Sequence, residues 1–307
     1  MIYLLLSCFA CLSITALTAY ELSIAALFRN EGAYLKEWIE YHKMVGVEHF
    51  WLYNNASTDD WEEILQPYIA EGTVEVTHWE IPISTEREKY QERAYIDVLN
   101  KAKGVTKWLA LIDLDEYLLP MKEATLTECL ENHFSDASAI YVNWRCFGTG
   151  GVTLKAKESC LFRLTACSKP LHSINANGKS IVRPECVELP FPFEGEGKAV
   201  RVHHFPLKSA IKYHNGDGRE IPMQGERPQL DGHAHTGFIR LNHYMMRDEY
   251  FFHNIKFERN KQIAVPNDLA WEHYHAFNLD QDETMIRFIK EKHPDMYEKF
   301  WKNPIFN

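Results

Sequence analysis

The chain has 307 residues, of which 46% are hydrophobic and 25% are charged, and its formal net charge is −10. This length allows one large domain with a sizeable buried core, and the composition is that of an ordinary globular protein. The acidic balance, with no basic cluster to reverse it, argues against binding to nucleic acid.

The chain begins with an uncharged apolar run, residues 2–19, which is close to the shortest length that spans a membrane. The run also resembles the apolar core of a signal peptide, although no Lys or Arg precedes it. We expect residues 1–20 to form a hydrophobic leader, either a single-pass anchor or a cleaved signal peptide, ahead of one domain over residues 21–307. An anchor would make the protein membrane-associated, of Golgi type in a eukaryote and facing the cytosol in a bacterium, whereas cleavage would lead to secretion.

After the leader, apolar segments of strand length alternate with segments of helical periodicity. Strands are predicted over residues 22–28, 49–53, 74–79 and 108–112, and helices over residues 34–44, 61–68 and 86–103. Strands separated by helices of this length favour a parallel sheet with right-handed crossovers. The sequence therefore predicts an α/β fold with a mostly parallel sheet flanked by helices.

Beyond residue 139 the pattern is less regular. A fifth strand is predicted over residues 140–144, a Gly-rich loop over residues 147–151 and a last helix over residues 284–301. Five cysteines follow the leader, and this odd number fits either buried thiols or two disulfides with one free thiol.

The most specific local signal is the pair Asp113 and Asp115, directly after the fourth predicted strand. Parallel α/β sheets bind their ligands at the carboxyl ends of the strands, so function is expected here. Alternation along a strand would point both carboxylates the same way, and a cation would relieve their repulsion. Carboxylate oxygens suit Mn²⁺ or Mg²⁺, which can neutralise a diphosphate leaving group.

An apolar strand followed by an Asp-x-Asp motif is also found in haloacid dehalogenase-like phosphohydrolases. Those enzymes carry the motif early in the chain and have Thr or Val two residues after the second Asp. Here Tyr117 occupies that position, and three strand–helix pairs precede the motif. The phosphohydrolase therefore stays an alternative of lower rank.

Several segments, in this order, resemble family 92 glycosyltransferases (the former DUF23 group) and their bacterial family 2-like relatives. They cover residues 29–60, 91–100, 107–120, 143–151, 179–187, 202–206 and 241–260, and the resemblance spans residues 21–260. It implies a GT-A fold, a UDP-sugar donor, galactose as the sugar in characterised relatives, and inversion at the anomeric carbon. Two departures, Asn54-Asn55 after the second strand and Met246 to Glu249 in the last motif, bear on the acceptor more than on the fold.

The strand ends and the resemblance together give candidate roles to particular residues. The candidate donor-binding residues are Arg29, Asn30, Glu31, Asn55, Gln91, Asp113, Lys179 and Arg183. The candidate metal ligands are Asp113, Asp115 and His243, with His203 or His204 as a further histidine. Trp144 and Phe147 are candidates for an acceptor platform, and the general-base candidates are Glu249 and Asp231, with Glu194 and Glu226 also considered.

These features predict a metal-dependent glycosyltransferase that uses Mn²⁺ or Mg²⁺. It would move a hexose from a UDP-sugar to a hydroxyl of a glycan or lipid-linked acceptor, with inversion. A non-catalytic carbohydrate-binding protein on a transferase fold is the remaining alternative to the phosphohydrolase.

Overall fold

The computed structural model describes residues 19–80, 89–189, 202–208, 212–224, 227–256 and 267–303. No helix in these ranges is long and apolar enough to cross a membrane. The predicted membrane-associated location, through a single N-terminal apolar segment, is therefore not supported. All but the last residue of the run 2–19, on which that prediction depended, lie outside the described residues.

The first half of the described chain alternates strands and helices as predicted. Its strands are β1 (Tyr20–Phe28), β2 (His49–Asn54), β3 (Val74–His78) and β4 (Thr106–Leu111). The helices between them are α1 (Gly32–Met44), α2 (Trp61–Ala70) and α3 (Lys89–Ala102). Each strand pairs in parallel with its sheet neighbours among these four. Residues 86–88 of the predicted helix over 86–103 lie outside the described residues.

The second half contributes shorter strands and helices. The strands are β5 (Glu116–Pro120), β6 (Ala139–Cys146), β7 (Ala166–Cys167), β8 (Gly178–Val182), β9 (Tyr213–Asn215), β10 (Glu220–Ile221), β11 (Met223–Gln224), β12 (Arg227–Pro228), β13 (Ile239–His243) and β14 (Asp280–Gln281). The helices are α4 (Leu126–His133), α5 (Cys160–Arg163), α6 (Glu249–Phe251), α7 (Asn267–Ala276), α8 (Thr284–Lys292) and α9 (Pro294–Met296). The predicted fifth strand is β6, and the predicted last helix is divided into α8, α9 and the π-helical turn Tyr297–Trp301.

The main sheet has the strand order β10-β9-β6-β8-β4-β1-β2-β3. Strand β8 runs antiparallel to both of its neighbours, β4 and β6, so those two strands point the same way. The carboxyl ends of β1, β2, β3, β4 and β6 therefore meet the beginning of β8 at one edge of the sheet, which we call the catalytic edge.

Strand β6 is long enough to pair with different strands along its length. Its first half pairs with β8 and β9, and its last three residues pair with β13, which also pairs with β5. In that register His243 lies opposite both Glu116 and Cys146. The end of β13 is thereby fixed beside the turn that joins β4 to β5.

Two apolar cores cover the faces of the sheet. One contains Trp38 of α1, Leu65 of α2 and Leu130 of α4, and the other contains Tyr95 and Val98 of α3. These helices bury one apolar stripe each, as expected for helices packed on a sheet. All five cysteines in the described chain are free thiols, so the alternative with two disulfides is wrong for this structure.

The C-terminal segment is held to the rest of the fold by buried polar contacts. The Glu37 carboxylate of α1 accepts hydrogen bonds from the Ser159 hydroxyl, the Cys160 amide (2.9 Å) and the Trp301 indole (3.1 Å). Asp282, just after β14, forms ion pairs with Arg145 (3.4 Å) and Arg240 (2.9 Å).

Candidate functional site

The Asp113-Leu114-Asp115 motif forms the turn between β4 and β5 at the catalytic edge. Neither aspartate belongs to a strand, so the expectation that strand alternation points both carboxylates the same way is wrong. Each carboxylate has a different neighbour. Asp113 contacts residues of α3 and β8, whereas Asp115 contacts His243 at the end of β13.

Asp113 is held between an amide and an ammonium. The Gln91 amide donates to Oδ1 at 2.8 Å, and Lys179 Nζ lies 2.9 Å from Oδ2. Lys179 is 2% exposed, and burial acts to lower its pKa, yet the neighbouring Asp113 raises that pKa well above its usual range. Gly178 allows this placement, because a Cβ there would lie 2.0 Å from the Val142 carbonyl oxygen. The charge of Asp113 is thus matched by the protein itself.

Asp115 and His243 form the second pair, with Oδ1 and Nε2 3.6 Å apart. Burial acts to raise the pKa of Asp115, but His243 holds it well below its usual range. Burial acts in the opposite sense on His243, whose pKa Asp115 nevertheless raises to about 10. The His243 ring also lies against Trp144, with centroids 4.5 Å apart.

Glu116 holds the turn that carries both aspartates. It is fully buried, and its carboxylate accepts hydrogen bonds from the Asp113 amide (2.8 Å) and the Trp144 indole (2.8 Å). Burial raises the pKa of Glu116 to about 7, in part against the lowering effect of Lys179. Glu116 is assigned no role by the sequence analysis.

Arg247 is a functional candidate that sequence reasoning missed. It has a left-handed backbone (φ 52°), is 1% exposed, and places its guanidinium 4.0 Å from the centre of the Tyr34 ring. Nη2 donates to Glu31 at 3.0 Å, whereas Nη1 is buried with no hydrogen-bond partner in the described chain. Its charge also contributes to the lowered pKa of Asp115. The signal available in the sequence was an arginine within the last family-like motif.

The described residues contain no group of three or more His, Cys, Asp or Glu side chains arranged to hold a metal ion. Once an ion displaces the proton of His243, Asp115 and His243 supply one carboxylate and one imidazole 3.6 Å apart, a donor set compatible with Mn²⁺. Mg²⁺ and related ions bound at phosphate sites take few protein ligands and complete their shell with water and substrate oxygens. The residues therefore fit a divalent ion held jointly by the protein and a diphosphate, and the metal role stays a prediction.

Glu249, a predicted general base, lies next to the Gly-rich loop. Its carboxylate accepts hydrogen bonds from the Thr149 hydroxyl and the Tyr274 hydroxyl (2.9 Å), and His253 Nε2 lies 3.0 Å from Oε2. Burial acts to raise the pKa of Glu249, but these partners lower it on balance. The carboxylate is therefore ionised near neutral pH, as a general base must be.

The other predicted donor-binding residues are distributed along the catalytic edge. Asn30 joins the loops after β1 and β2, accepting from the Thr58 amide at 2.8 Å, and Asn55 donates to the Trp79 carbonyl at 2.7 Å. Arg29 is exposed beside them. His203 contacts the Gly178 carbonyl at 2.7 Å, and burial lowers its pKa to about 4. These residues surround the motif, and their roles toward a donor stay predictions.

Two predictions need correction. Arg183 lies at the opposite edge of the sheet, where it donates to the Ala137 carbonyl (2.9 Å) and covers the Trp108 ring, so it cannot contact a donor at the motif. Phe147 is 1% exposed and stacks on Tyr244, so it offers no platform to an acceptor. Asp231 pairs with His235 in a separate pocket, and its role as a general base stays a prediction. Glu194 and Glu226 lie outside the described residues.

Replacing Lys179 by Met is expected to lower the free energy of unfolding by about 1–3 kcal/mol, because the Asp113 charge loses its buried partner. Urea denaturation measures the change. The matched control is Lys107→Met, which removes a surface ion pair with Glu21 and is expected to change stability by less than about 1 kcal/mol. Equal stability of the two variants would contradict the structural role of the Lys179–Asp113 pair.

The chain is similar in sequence to members of a known protein family. The sequence model of glycosyltransferase family 92 matches residues 19–209, more than half of the chain. A family 92 protein of Ricinus communis is 27% identical over 202 residues, which are 64% of this chain and 34% of the relative. A family 92 protein of Oryza sativa subsp. japonica is 29% identical over 201 residues, which are 64% of this chain and 31% of the relative. The chain spans about a third of the length of these relatives.

Two solved structures illustrate the similarity in three dimensions. Residues 1–349 of S. aureus TarS match with a TM-score of 0.36 at 15% identity, covering 57% of this chain and 52% of that one. The mannosyltransferase PcManGT from Pyrobaculum calidifontis, in complex with GDP-Man and Mn²⁺, matches with a TM-score of 0.34 at 11% identity, covering 55% of this chain and 46% of that one. The predicted α/β fold is confirmed, with a mixed central sheet flanked by helices.

Proposed function

Since this chain belongs to glycosyltransferase family 92, we propose that it is a metal-dependent glycosyltransferase that moves a hexose from a UDP-sugar to a hydroxyl of a glycan or lipid-linked acceptor. The observation that carries the proposal is the convergence of Asp113, Asp115 and His243 at the catalytic edge. They come from two distant parts of the sequence, and β13 brings them together.

The positive groups at this edge suit a diphosphate. Lys179 and Arg247 are both buried within the site, and the unpartnered Nη1 of Arg247 is a donor without an acceptor. A divalent ion held by Asp115 and His243 would neutralise charge that develops on the departing diphosphate. Lys179, fixed against Asp113, would keep that carboxylate oriented toward the donor.

Glu249 is the proposed general base. Its ionised carboxylate would take the proton of the acceptor hydroxyl while the acceptor oxygen forms a bond to the anomeric carbon. The bond from that carbon to UDP breaks in the same step, which inverts the configuration. Thr149 and Tyr274 would hold the carboxylate in place during the transfer.

Glu249→Gln is expected to lower the rate of hexose transfer by about 10²–10⁴-fold, because the amide cannot accept the proton. UDP affinity, measured by titration calorimetry, is expected to change little. Glu298→Gln on the surface, where Glu298 pairs with Lys302, is the control and should transfer at the wild-type rate. Wild-type turnover by the Glu249→Gln enzyme would show that another residue is the general base.

The experiment that tests the proposed function is calorimetric titration of the full chain with UDP, with and without Mn²⁺. Binding that requires Mn²⁺ supports the proposal, and UDP-galactose and UDP-glucose are then tested as donors. Absence of binding to UDP under both conditions contradicts it and favours the non-catalytic carbohydrate-binding alternative. The phosphohydrolase alternative has no support, because the chain belongs to glycosyltransferase family 92.

A further inference from the structure

A pocket of about 210 Å³ opens beside the catalytic edge. One wall is strand β6, through Tyr141 and Asn143, and another is the turn that follows β9, through Asn215 and Arg219. The segment 229–235, with Asp231 and His235, closes the remaining side. None of the contacts that define the Asp113–Asp115 site involves these residues.

The pocket and the metal motif are nevertheless neighbours through β6. Asn143 lies opposite Gly178 in the sheet, and the next residue after Gly178 is Lys179, the partner of Asp113. Trp144, directly after Asn143, donates to Glu116 within the motif. Successive residues of one strand, Asn143 and Trp144, thus line the pocket and contact the motif, so β6 connects the two.

The polar lining is held in place by internal hydrogen bonds. His235 is fixed between Asp217 (3.0 Å) and Asp231 (2.9 Å), and its amide donates to Asn143 Oδ1 at 3.0 Å. Asn215 Oδ1 accepts from the amides of Asp217 and Arg219, both at 3.1 Å. A lining fixed in this way loses little conformational entropy when it binds a ligand.

Two hydrogen-bond donors in the lining are left for a ligand. Within the described chain, Asn215 Nδ2 has no hydrogen-bond partner and the Tyr141 hydroxyl donates to no acceptor, although both residues are buried. Ile221, Pro222 and Leu230 add apolar surface. Donors beside an apolar wall match a sugar ring, which presents hydroxyl groups at its rim and C–H groups on its faces.

The volume of the pocket and the charges of its lining limit the kind of ligand that it can bind. The volume of about 210 Å³ is below the roughly 300–1,000 Å³ of pockets for drug-sized ligands, so a single ring fits better than an extended molecule. In the lining, the two carboxylates of Glu220 and Asp231 outnumber the one guanidinium of Arg219 and disfavour an anion such as a nucleotide. We propose that this pocket binds one uncharged sugar ring of the acceptor, an assignment that rests on the proposed function.

The test uses the full chain and the methyl glycosides of galactose, glucose, mannose and N-acetylglucosamine as probes. Saturation-transfer NMR titration is expected to show binding of at least one glycoside. Asn215→Asp keeps an oxygen that accepts the two amides but replaces the Nδ2 donor by a negatively charged acceptor oxygen. Tyr141→Phe removes only the hydroxyl. Each variant is expected to bind that glycoside roughly 3–10-fold more weakly, the loss of one hydrogen bond. Tyr68→Phe on α2, far along the sheet, is the control and should bind as the wild type does.

Two results would overturn the proposal. One is that no glycoside of the set binds the wild-type chain, and the other is that both variants bind as tightly as the control while thermal melting shows all of them folded. UDP titration of the same proteins with Mn²⁺ reports separately on the donor site. Loss of UDP binding in the wild type would reject the proposed function and leave the glycoside result to decide whether the pocket binds sugar.

Discussion

Asp115→Ala is expected to abolish Mn²⁺-dependent UDP binding and to lower hexose transfer by at least about 100-fold, while the fold is retained. Asp115 supplies the carboxylate of the Asp115–His243 pair, and an ion that loses one of two protein ligands is held by His243 alone. Neutralisation of a leaving group by a metal ion lowers the activation barrier by several kcal/mol, so its loss is expected to slow the reaction strongly. Calorimetry with UDP and Mn²⁺ and a transfer assay with the best donor measure the two effects.

The control for Asp115→Ala is Asp136→Ala, because Asp136 is a surface carboxylate paired with Lys212 and distant from the motif. It should bind UDP and turn over as the wild type does. Transfer that persists in Asp115→Ala at the wild-type rate would remove the metal role of this residue. A loss of UDP binding that is equal with and without Mn²⁺ would instead make Asp115 a direct ligand of the nucleotide.

Glu37→Ala is expected to lower the melting temperature by roughly 5–10 °C, the largest stability effect that we predict. The change leaves the Ser159 hydroxyl, the Cys160 amide and the Trp301 indole without their common acceptor in a buried position. Each unsatisfied buried donor costs about 1–3 kcal/mol, offset in part because the buried polar carboxyl group of Glu37 is also removed. Differential scanning calorimetry measures the shift.

The contribution of Glu37 to the stability of the fold should decrease as the pH rises. Burial raises its pKa above the ordinary 4.5, so the folded chain retains a proton that the unfolded chain releases. Stability from such a group is complete below pH 4.5 and is lost as the pH rises through the folded-state pKa. The melting difference between wild type and Glu37→Ala should therefore be larger at pH 5 than at pH 8. Glu63→Ala, exposed on α2, should show no difference at either pH.

The first four strands and their helices could be predicted because their patterns are local. Each strand is a continuous apolar run and each helix repeats its apolar residues every three or four positions, so sequence alone sets their type and order. The direction of β8 could not be predicted, since a five-residue strand such as GKSIV shows no pattern that depends on which way it runs. Strand β5 was missed because it follows the Asp113–Asp115 turn at once, with no break in the sequence.

The candidate site was predictable to the extent that its residues follow parallel strands. Asp113 and Asp115 were found by that rule, and His243 by the family resemblance. Arg247 was missed because its candidate role rests on contacts with Glu31 and Tyr34, more than two hundred residues earlier in the chain. No local sequence pattern predicts such contacts. Arg183 was assigned wrongly because it ends an antiparallel strand, and the end of that strand lies at the far edge of the sheet.

The match to the family ends at residue 209, whereas His243, Glu249 and Trp301 come from the chain that follows. The part of the chain that the family model matches is therefore shorter than the part whose contacts complete the site. A truncation at residue 209 would keep the Lys179–Asp113 pair but remove the histidine beside Asp115 and the indole partner of Glu37. A fragment cut to the matched residues would therefore lack contacts that the site and the buried Glu37 carboxyl group depend on.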